Sequence, residues 1–571
     1  MFKVYRVNSR TGEIRSEEFK KDYHFFGNRG LVAKVMSDEV NPECDPMGAE
    51  NKLIVCTGLL AGSAFPAAHR LSVGGKSPLT GTIKESSVGG TVGTLLSQHG
   101  IKMFIIEDKP VEEKWHLLKV NKNGDVELLP ADEYSGLNNY SLLEKLHKRY
   151  GKEIAVLSVG TAGERGYRNS SLQSTDYSTG HPSRSAARGG LGAVAGSKKI
   201  KAIVIEKALK KMEMEYADRD KFSKAQKRFI DMTLSSNNKM ARNLVTYGTV
   251  QIIDDTSVAG IMPVRNFTGD YSEPKKLRHI KSGAWLKKMK KNKGKTGIPC
   301  QAGCIIRCSN IYRDAKGEFV TAGLEYETAA LAGPNCDIYD WDYLAEFDRR
   351  CDDLGVDTIE TGSTIAVCME AGKIPWGDKK AAMGLLKEMA EGTEFGRLMG
   401  QGTEAVGKKL GVKRIPTCKG QSLAAYDPRN LKGTGVTYAM SPMGADHTAG
   451  LTLFPGLDGS NKAAQVSLSG MVQAFFAAVD NLMCIFAMGS LMGDSTIATG
   501  LLSGLYGGQW NMGRLLGIGI QTIAMERSFN RGAGFTEKDD RLPEFFYKEF
   551  SPATGAVFDI SPEEMAAVFN Y

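Results

Sequence analysis

Apolar positions in the first 206 residues cluster in short β-branched runs that glycine-rich turns separate. The chain opens with MFKVYRVNSRTGEIRSEEF, which predicts a strand, a turn and a second strand. No sustained helical periodicity precedes the LLEKLHKRYG segment near Leu143. We therefore expect a β-rich N-terminal domain. Its clearest strand candidates are KLIVCTG, MFIIED, IAVLSVG and KAIVIEK.

From Lys207 onward the apolar residues follow helical spacing and the charged residues fall on outer faces. The fold class predicted is α+β, a β-rich N-terminal domain followed by a mainly α-helical remainder. No repeat of fixed period is present in the sequence. The clearest helix candidates are YADRDKFSKAQKRFIDMTL, DYLAEFDRRCDDLG and AAMGLLKEMAEGTEFGRLMGQGTEAVGKKLG.

The most apolar region, residues 471–507, predicts helices packed inside a large protein. Asp480, Asn481, Asp494 and many glycines interrupt it, so we expect no membrane span. The 571 residues are 42% apolar and 24% charged, which is ordinary for a soluble protein with more than one core. The N-terminus lacks the pattern of a secretory signal, which predicts a cytoplasmic protein. Its ten cysteines then favour metal binding or buried thiols over disulfides.

Most of the excess positive charge lies in residues 275–295, here called the basic segment. Its sequence, KKLRHIKSGAWLKKMKKNKGK, holds ten Lys or Arg and no acidic residue. A solvated face is one interpretation, and a docking surface for an acidic protein is the other. Nucleic acid is poorly supported, because no aromatic-interleaved or recognition-helix motif accompanies the charge.

Glycine-rich segments do not form a familiar nucleotide site. Residues 189–198, GGLGAVAGSK, lack the G-x-G-x-x-G spacing, and the G-K-T at 294–296 lacks the first glycine of a phosphate-binding loop. Residues 80–93, TGTIKESSVGGTVG, are small enough to let backbone amides approach a ligand closely. Tight turns inside a β-domain explain the same run equally well.

Three cysteines within nine residues, Cys300, Cys304 and Cys308, predict iron–sulfur ligation. A zinc ribbon would need a second cysteine pair, and radical enzymes that use S-adenosylmethionine commonly space their cysteines three then two, whereas this run is three then three. A cubane cluster needs a fourth ligand, which the run itself does not supply. Cys484, in VDNLMCIF, differs from the remaining cysteines in having an Asp four positions earlier. The other cysteines stand alone and are predicted core residues: Cys44, Cys56, Cys336, Cys351, Cys368 and Cys418.

Seven segments resemble the aldehyde:ferredoxin oxidoreductase family in family order, over nearly the whole chain. They are residues 27–40, 68–90, 183–203, 323–336, 351–362, 426–447 and 479–484. The resemblance implies an N-terminal base of two β-sheets below two largely helical domains, which we place at residues 1–206, 207–420 and 421–571. It also implies tungsten held by the dithiolenes of two pterins, with one [4Fe–4S] cluster nearby. Molybdenum takes the same ligands, and Mg²⁺ is a candidate bridge between the pterin phosphates.

The resemblance carries the family's pterin-binding roles onto matching residues. The motif D-x-x-G-hydrophobic-D is matched by Asp352, Gly355, Val356 and Asp357. The partner motif should read D-x-x-G-L-C, but here Asp480 precedes Cys484 by only four positions and the glycine is missing. Cys484 is still implied as the fourth cluster ligand. On local sequence alone, each aspartate fits a helix N-cap or a turn as well.

Further positions match residues that bind pterin or phosphate in the family, where arginine forks and amide nests suit phosphate. They are Arg70, Gly89, Ala186 and Arg188. Ser87 and Ser185 occupy neighbouring contact positions with a changed side chain, so only backbone contacts are carried over. For Arg188 an ordinary surface arginine is the alternative.

Glu327 and His447 match family positions beside the metal and are predicted to be catalytic. Glu327 lies in the apolar run YETAALAGPN, where an ionised carboxylate is costly unless it is paired or used. We expect Glu327 to act as general base on water and His447 to donate a hydrogen bond to the substrate carbonyl oxygen. A capped or paired glutamate and a hydrogen-bonded loop histidine remain the alternatives.

The function predicted is interconversion of a small aldehyde and its carboxylic acid, with electron transfer to ferredoxin or a polyferredoxin-type subunit. One alternative is the tungsten subunit of a benzoyl-CoA reductase, which shares the scaffold but reduces an aromatic ring. Another is an iron–sulfur electron-transfer module without catalysis of its own. A homodimer or larger complex stays open, because Glu346 resembles an intersubunit iron ligand but no partner histidine is found.

Overall fold

Two six-stranded sheets dominate the N-terminal part of the computed structural model, which describes residues 2–269, 274–453 and 460–570. The first sheet has the order β2-β1-β6-β3-β4-β5 and the second β11-β10-β9-β12-β7-β8. The strands of the first sheet are β1 (Lys3–Asn8), β2 (Ile14–Glu18), β3 (Leu53–Thr57), β4 (Leu71–Lys76), β5 (Ile83–Val88) and β6 (Ile101–Glu107). Those of the second are β7 (His116–Val120), β8 (Val126–Pro130), β9 (Ala155–Ser158), β10 (Leu172–Ser174), β11 (Arg184–Ala186) and β12 (Ile200–Ile205).

The predicted strands are confirmed. The opening pair is β1 and β2, which run antiparallel, and the four apolar runs form β3, β6, β9 and β12. Every residue of β3, β9 and β12 is buried, so their sequences are mainly apolar and do not alternate; the buried Lys201 of β12 pairs with Glu164. Both sheets contribute to one core, which includes Val7, Leu53, Leu117, Leu157 and Ile203.

One expectation about this region is wrong, because helices do precede Leu143. The helix α1 (Asn28–Glu39) packs between the first sheet and two later helices. It is buried from Asn28 to Ala33 and again at Val35 and Met36, so its apolar residues surround the axis and leave no amphipathic period. The other helices before residue 200 are α2 (Val92–Gln98), α3 (Asn139–Tyr150), α4 (Thr161–Glu164) and α5 (Leu191–Ser197).

Residues after 207 are mainly helical, as predicted. The three helix candidates form α6, α12 and the series α14 to α16, in which glycines separate the three helices. The helices are α6 (Arg219–Leu234), α7 (Lys239–Tyr247), α8 (Ile252–Val258), α9 (Pro274–Leu277), α10 (Ser282–Lys291), α11 (Tyr326–Leu331), α12 (Trp341–Leu354), α13 (Thr358–Glu370), α14 (Lys379–Glu391), α15 (Glu394–Met399), α16 (Thr403–Leu410), α17 (Lys432–Met440), α18 (Lys462–Leu482), α19 (Met488–Gly493), α20 (Thr496–Tyr506), α21 (Met512–Gly532), α22 (Glu544–Lys548) and α23 (Pro562–Met565).

Short strands accompany these helices. A three-stranded sheet, β13-β14-β15, carries the cysteine run in the connection between its first two strands. A two-stranded ribbon joins β16 and β17. Their bounds are β13 (Lys295–Ile298), β14 (Ser309–Arg313), β15 (Phe319–Ala322), β16 (Thr417–Cys418) and β17 (Gln421–Ser422).

The apolar region 471–507 forms α18, α19 and α20, whose inward residues are packed against α6 and α21. Among the described residues, no single helix is both long and apolar enough to cross a membrane. Only α18 and the segment Ile485–Gly493 pass such a test together, and a bend of 113° separates them.

Candidate active site

One large cavity lies where the N-terminal sheets meet the helical remainder, with about 1760 Å³ of space not filled by atoms, counted out to its solvent opening. Its walls come from the end of β5, from β11, from the connection between β13 and β14, and from α11, α12 and α18. The predicted site residues that line it are Arg70, Ser87, Gly89, Ser185, Arg188, Cys300, Cys304, Cys308, Glu327, Asp352, Val356, Asp357, His447, Asp480 and Cys484.

Ala186 and Gly355 are the two predicted site residues outside this lining. Ala186 is fully buried in β11, while its neighbours Ser185 and Ala187 line the cavity, as the alternation of a strand requires. Gly355 ends α12 with a φ of +78°, a conformation that glycine adopts without strain. It thereby turns the chain between two lining residues, Asp352 and Val356. The pterin contacts assigned to both residues stay predictions.

The four predicted cluster cysteines lie together in the cavity wall although Cys484 is distant in sequence. All are buried free thiols. The Cys484 N–H donates to the Ala67 carbonyl at 3.0 Å, which fixes the chain after α18. A hydrogen bond from Cys304, with Arg184 and Arg70 nearby, lowers the pKa of Cys300 to about 6 against the effect of burial. The two arginines favour the thiolate form of Cys300, which iron requires, whereas burial raises the pKa of Cys308 and of Cys484.

The remaining cysteines are buried elsewhere, which confirms their assignment to the core. Among residues 2–269, 274–453 and 460–570, no three His, Cys, Asp or Glu side chains meet as ligands of a single metal ion. The four cysteines all line the same cavity. This arrangement suits a cluster, in which each iron takes one thiolate.

Arg70 and Gly89 line the cavity near the cluster cysteines. Arg70 donates from Nε to the Ser87 hydroxyl at 2.8 Å and from Nη2 to the Ser87 carbonyl at 3.0 Å. A Cβ on Gly89 would lie 3.3 Å from the Cys300 sulfur, so a larger residue would crowd that thiol. Ser185 accepts a hydrogen bond from Gln173 at 3.0 Å.

Asp352 and Asp480 are buried carboxyl groups that line the cavity without a hydrogen bond or ion pair from any described residue. Burial raises the pKa of both well above its usual range. Neither caps a helix N-terminus, because Asp352 lies near the end of α12 and Asp480 near the end of α18. Asp357 does act as an N-cap and accepts from the Ile359 N–H at 2.9 Å.

Arg188 is buried and joins three parts of the chain, so the alternative of a surface arginine is wrong. It donates to the Ala445 carbonyl at 2.6 Å and to the Ser422 carbonyl at 2.5 Å. Its Nε lies 3.3 Å from Oδ2 of Asp357. Arg188 thus ties β11 to the start of α13 and to the loop that carries His447.

Glu327 and His447 come together at the cavity from positions 120 residues apart. Oε1 of Glu327 lies 3.5 Å from Nε2 of His447 and has no hydrogen-bond partner among the described residues. Oε2 accepts from the Ala425 N–H at 2.7 Å, which fixes the carboxylate. Nδ1 of His447 also lacks a hydrogen-bond partner and lies 3.9 Å from Oδ1 of Asp446. The cavity wall therefore holds a carboxylate oxygen of Glu327 and the imidazole Nε2 of His447 side by side.

Sequence reasoning missed several charged residues that line the cavity. Arg184 pairs with Asp176 at 2.7 Å, outside the cavity. Asp348 lies one helical turn before Asp352 on α12, and that spacing was a readable signal. The expectation that the charges of α12 face outward is wrong for Asp348, which is buried like the predicted site residue Asp352. The missed lining residues are Glu85, Arg184, Glu325, Asp348 and Asp446.

Comparisons with known proteins agree with this architecture. Residues 4–207 match the family model described as aldehyde ferredoxin oxidoreductase, N-terminal domain, and residues 224–569 match aldehyde ferredoxin oxidoreductase, domains 2 and 3. The tungsten-containing aldehyde ferredoxin oxidoreductases of Pyrococcus furiosus and Pyrococcus horikoshii are 30% and 31% identical, over 96% of this chain and 91% and 92% of their own. The WOR-like subunit of an aliphatic sulfonate oxidoreductase from Pyrococcus furiosus is 26% identical over 78% of this chain and 74% of its own.

A solved structure shares the fold at lower identity. A chain of the active-site complex BamBC of benzoyl coenzyme A reductase, in complex with 1,5-dienoyl-CoA, aligns over 99% of this chain and 93% of its own, with a TM-score of 0.80 and 17% identity. At that identity the likeness shows the fold alone. The family matches cover both parts of the chain and the relatives cover nearly all of it. The chain therefore belongs to the aldehyde ferredoxin oxidoreductase family of oxidoreductase enzymes.

Proposed function

We propose that this protein is a tungsten bis-pterin, [4Fe–4S]-dependent oxidoreductase that interconverts aldehydes and carboxylic acids and exchanges electrons with a ferredoxin. Molybdenum in place of tungsten is part of the same proposal. The observation that carries it is one cavity that unites four free thiols, two unpaired buried carboxyl groups and the Glu327–His447 pair. The tungsten named for two relatives supports the choice of metal.

The residues of the cavity fit these cofactors. Cys300, Cys304, Cys308 and Cys484 would hold the cluster, one thiolate to each iron. Buried carboxyl groups without partners are costly, and the N–H and amino groups of two pterin rings would satisfy Asp352 and Asp480. When bound, the metal–pterin centre and the cluster supply the redox chemistry, accepting two electrons from the substrate and releasing them singly.

Glu327 and His447 would perform the acid–base work of the reaction. An aldehyde and water become a carboxylic acid, two protons and two electrons, and the electrons leave to ferredoxin. Oε1 of Glu327 accepts a proton from the attacking water, while the Ala425 N–H holds Oε2 in place. Nε2 of His447 donates a hydrogen bond to the substrate carbonyl oxygen, where negative charge develops.

The charges of the cavity favour an uncharged aldehyde over an aryl-CoA thioester. Among the described lining residues, the arginines are Arg70, Arg184 and Arg188, and each already contacts a serine, a carboxylate or a backbone carbonyl. Carboxyl groups outnumber them in the lining. In the proposed holoenzyme these arginines serve the pterin phosphates, so the phosphates of coenzyme A would need further cations in this acidic surrounding.

The basic segment is the surface we propose for docking an acidic ferredoxin. Trp285 and Met289 anchor α10 in the core, so its lysines lie on the outer side. Lys288 is paired with Asp342 at 2.5 Å. The segment leads through β13 directly to Cys300. Three exposed lysines of α10 make no ion pair with any described residue: Lys287, Lys290 and Lys291.

Elemental and substrate analysis of anaerobically purified protein tests the proposal. We expect tungsten or molybdenum, extractable pterin, about four iron atoms per chain, and ferredoxin reduction with simple aldehydes. Iron without tungsten, molybdenum or pterin would indicate an electron-transfer module instead. Turnover of an aryl-CoA thioester without turnover of aldehydes would indicate an aromatic-ring reductase.

A further inference from the structure

A second carboxyl group accompanies each of the two unpaired aspartates in the cavity wall. Glu85 lines the cavity with Asp480, and its Oε1 accepts a hydrogen bond from the Ser72 hydroxyl at 2.5 Å. Asp348 lines it one helical turn before Asp352, and its Oδ2 accepts from the Thr321 hydroxyl at 2.7 Å. Each pair thus consists of one carboxyl group held by a hydroxyl and one that is free.

The cations near the first pair all have other partners: Arg70 contacts Ser87, Lys84 pairs with Asp446, and Arg29 is neutralised by another carboxylate. Arg29, which lies near Glu85 and Asp480, forms two 2.8 Å hydrogen bonds with Glu526. That arginine and its partner glutamate are 1% and 2% exposed. Arg29 therefore has its own carboxylate partner and is not committed to the pair beside the cavity.

The second pair has the same arrangement, and Arg349, which also lies near Asp352, donates to the Val320 carbonyl at 3.1 Å. Arg184 lies near Asp348 and Asp352, but its Nε pairs with Asp176 at 2.7 Å and Nη2 donates to the Ser309 hydroxyl. Asp348 is 5% exposed and Asp352 is 6% exposed. Two buried carboxyl groups in such a position need hydrogen-bond donors from whatever fills the cavity.

Burial raises the pKa of Glu85 to about 6 and that of Asp348 to about 7. A carboxyl group that exchanges its proton near neutrality can either donate or accept. Together with the neighbouring aspartate, whose pKa burial also raises, such a pair offers oxygen acceptors and a proton donor side by side. A fused pyrimidine ring presents adjacent amino and N–H donors together with a carbonyl or ring-nitrogen acceptor along one edge, which complements this arrangement.

We propose that Glu85 and Asp348 are additional pterin-binding residues, one for each pterin, and that each works with its neighbouring aspartate to recognise the polar edge of the ring. This inference rests on the proposed bis-pterin function and deepens it. The matching pairs, each with a hydroxyl anchor and an arginine neutralised elsewhere, indicate two sites for ligands of the same kind. The Ser72 and Thr321 hydroxyls orient the two carboxyl groups toward the ring.

Replacing Asp348 by Asn and Glu85 by Gln tests the proposal in the complete, anaerobically purified protein. A hydrogen bond to a charged group is worth enough that pterin affinity should fall about tenfold or more in each variant. Pterin retained after gel filtration is measured as fluorescence of the oxidised, released ring, together with tungsten. Iron should stay at the wild-type level, because neither residue lies among the cysteines.

Asp353→Asn is the matched control. Asp353 neighbours Asp352 on α12 but lies outside the cavity, where its Oδ1 accepts from the Tyr140 N–H. This variant should keep its pterin. Thr321→Val, which retains Asp348 and removes its anchor, should lose pterin by a smaller factor and keeps the proposal testable if Asp348→Asn fails to fold.

The outcomes separate this inference from the proposed function. If the wild-type protein contains no pterin, the proposed function itself is contradicted. Wild-type protein that holds pterin, with Asp348→Asn and Glu85→Gln retaining it as well as Asp353→Asn does, would overturn only the role of the paired carboxyl groups. Loss of iron in parallel with pterin in both variants would assign them to the fold and would also overturn the proposal.

Discussion

Lys84 and Asp446 form an ion pair inside the protein that ties β5 to the loop carrying His447. Nζ of Lys84 lies 2.6 Å from Oδ2 of Asp446, and the side chains are 0% and 4% exposed. Oδ1 of Asp446 also accepts from the N–H and the hydroxyl of Thr448, at the start of the short 3₁₀ helix that begins at His447. Replacing Lys84 by Met would keep most of the buried volume and leave the Asp446 charge without its main partner.

The expected loss of stability follows from the burial of this pair. Removing one partner of a buried ion pair costs about 3–5 kcal/mol, because the remaining charge stays buried. At about 2.1 cal/mol/K of unfolding entropy per residue, spread over 571 residues, that loss lowers the melting temperature by about 2–4 °C if the chain unfolds as one unit. Differential scanning calorimetry of the anaerobic protein at neutral pH measures the shift.

The effect should depend on pH in a direction set by Asp446. Burial acts against ionisation, but Lys84 and then Arg188 outweigh it and hold the pKa of Asp446 below its usual range. In the wild type, Asp446 therefore contributes stability above its unfolded pKa of about 3.9 and loses it as the pH falls toward the folded pKa. Without Lys84 the folded pKa rises, so the destabilisation of Lys84→Met should be largest near pH 7 and should shrink toward pH 4–5.

A double variant isolates the charge. Lys84→Met with Asp446→Asn removes both charges and keeps an oxygen that can still accept from Thr448. It should recover most of the melting temperature lost in Lys84→Met. The reasoning is refuted if the double variant melts as low as the single one, or if Lys84→Met melts like the wild type at pH 7.

Three further predictions test the candidate site. Cys484→Ala should lower iron well below about four atoms per chain. Cys368→Ala, at a buried cysteine outside the cavity, is the control and should keep its iron. Full iron in Cys484→Ala would show that Cys484 is not the fourth cluster ligand. Glu327→Gln should retain tungsten and iron and lose turnover about a hundredfold or more; an active variant, or one without cofactor, would contradict the role of general base. Replacing the three unpaired lysines of α10 by Glu should slow ferredoxin reduction, most clearly at low salt, and leave reduction of a small cationic dye unchanged. If the variant reduces ferredoxin as fast as the wild type does, the basic segment is a solvated face and not a docking surface. The matched control replaces three other exposed, unpaired lysines, Lys145, Lys152 and Lys380.

Most elements of the fold could be predicted because the pattern of apolar and polar residues in each element reflects which of its faces are buried. β3 and β12 are buried on both faces and are rich in β-branched residues, while α6 lies at the surface and keeps its amphipathic period. The helix α1 could not be found in this way. It is enclosed by a sheet and by α18 and α21, so no polar face marks its period.

The site was predictable only in part, because its residues meet through tertiary structure. Three cysteines at short spacing indicate a cluster by their chemistry, but Cys484 is 176 positions beyond Cys308 and was chosen through the family resemblance. The same holds for Glu327 and His447, whose 3.5 Å approach depends on how α11 and the His447 loop pack. No local pattern of charge or periodicity in either segment specifies that contact.

Asp348 is a charged helical residue that lies in the same row along its helix as a buried leucine. Leu344, Asp348 and Asp352 follow one another at four-residue spacing on α12, so they share one row along the helix. Leu344 is fully buried, and the two aspartates continue its row into the cavity wall at 5% and 6% exposure. A row that begins apolar and continues with carboxyl groups cannot turn to solvent without exposing the leucine. Such a row therefore indicates a polar space inside the protein, because buried carboxyl groups need donors that a bound ligand can supply.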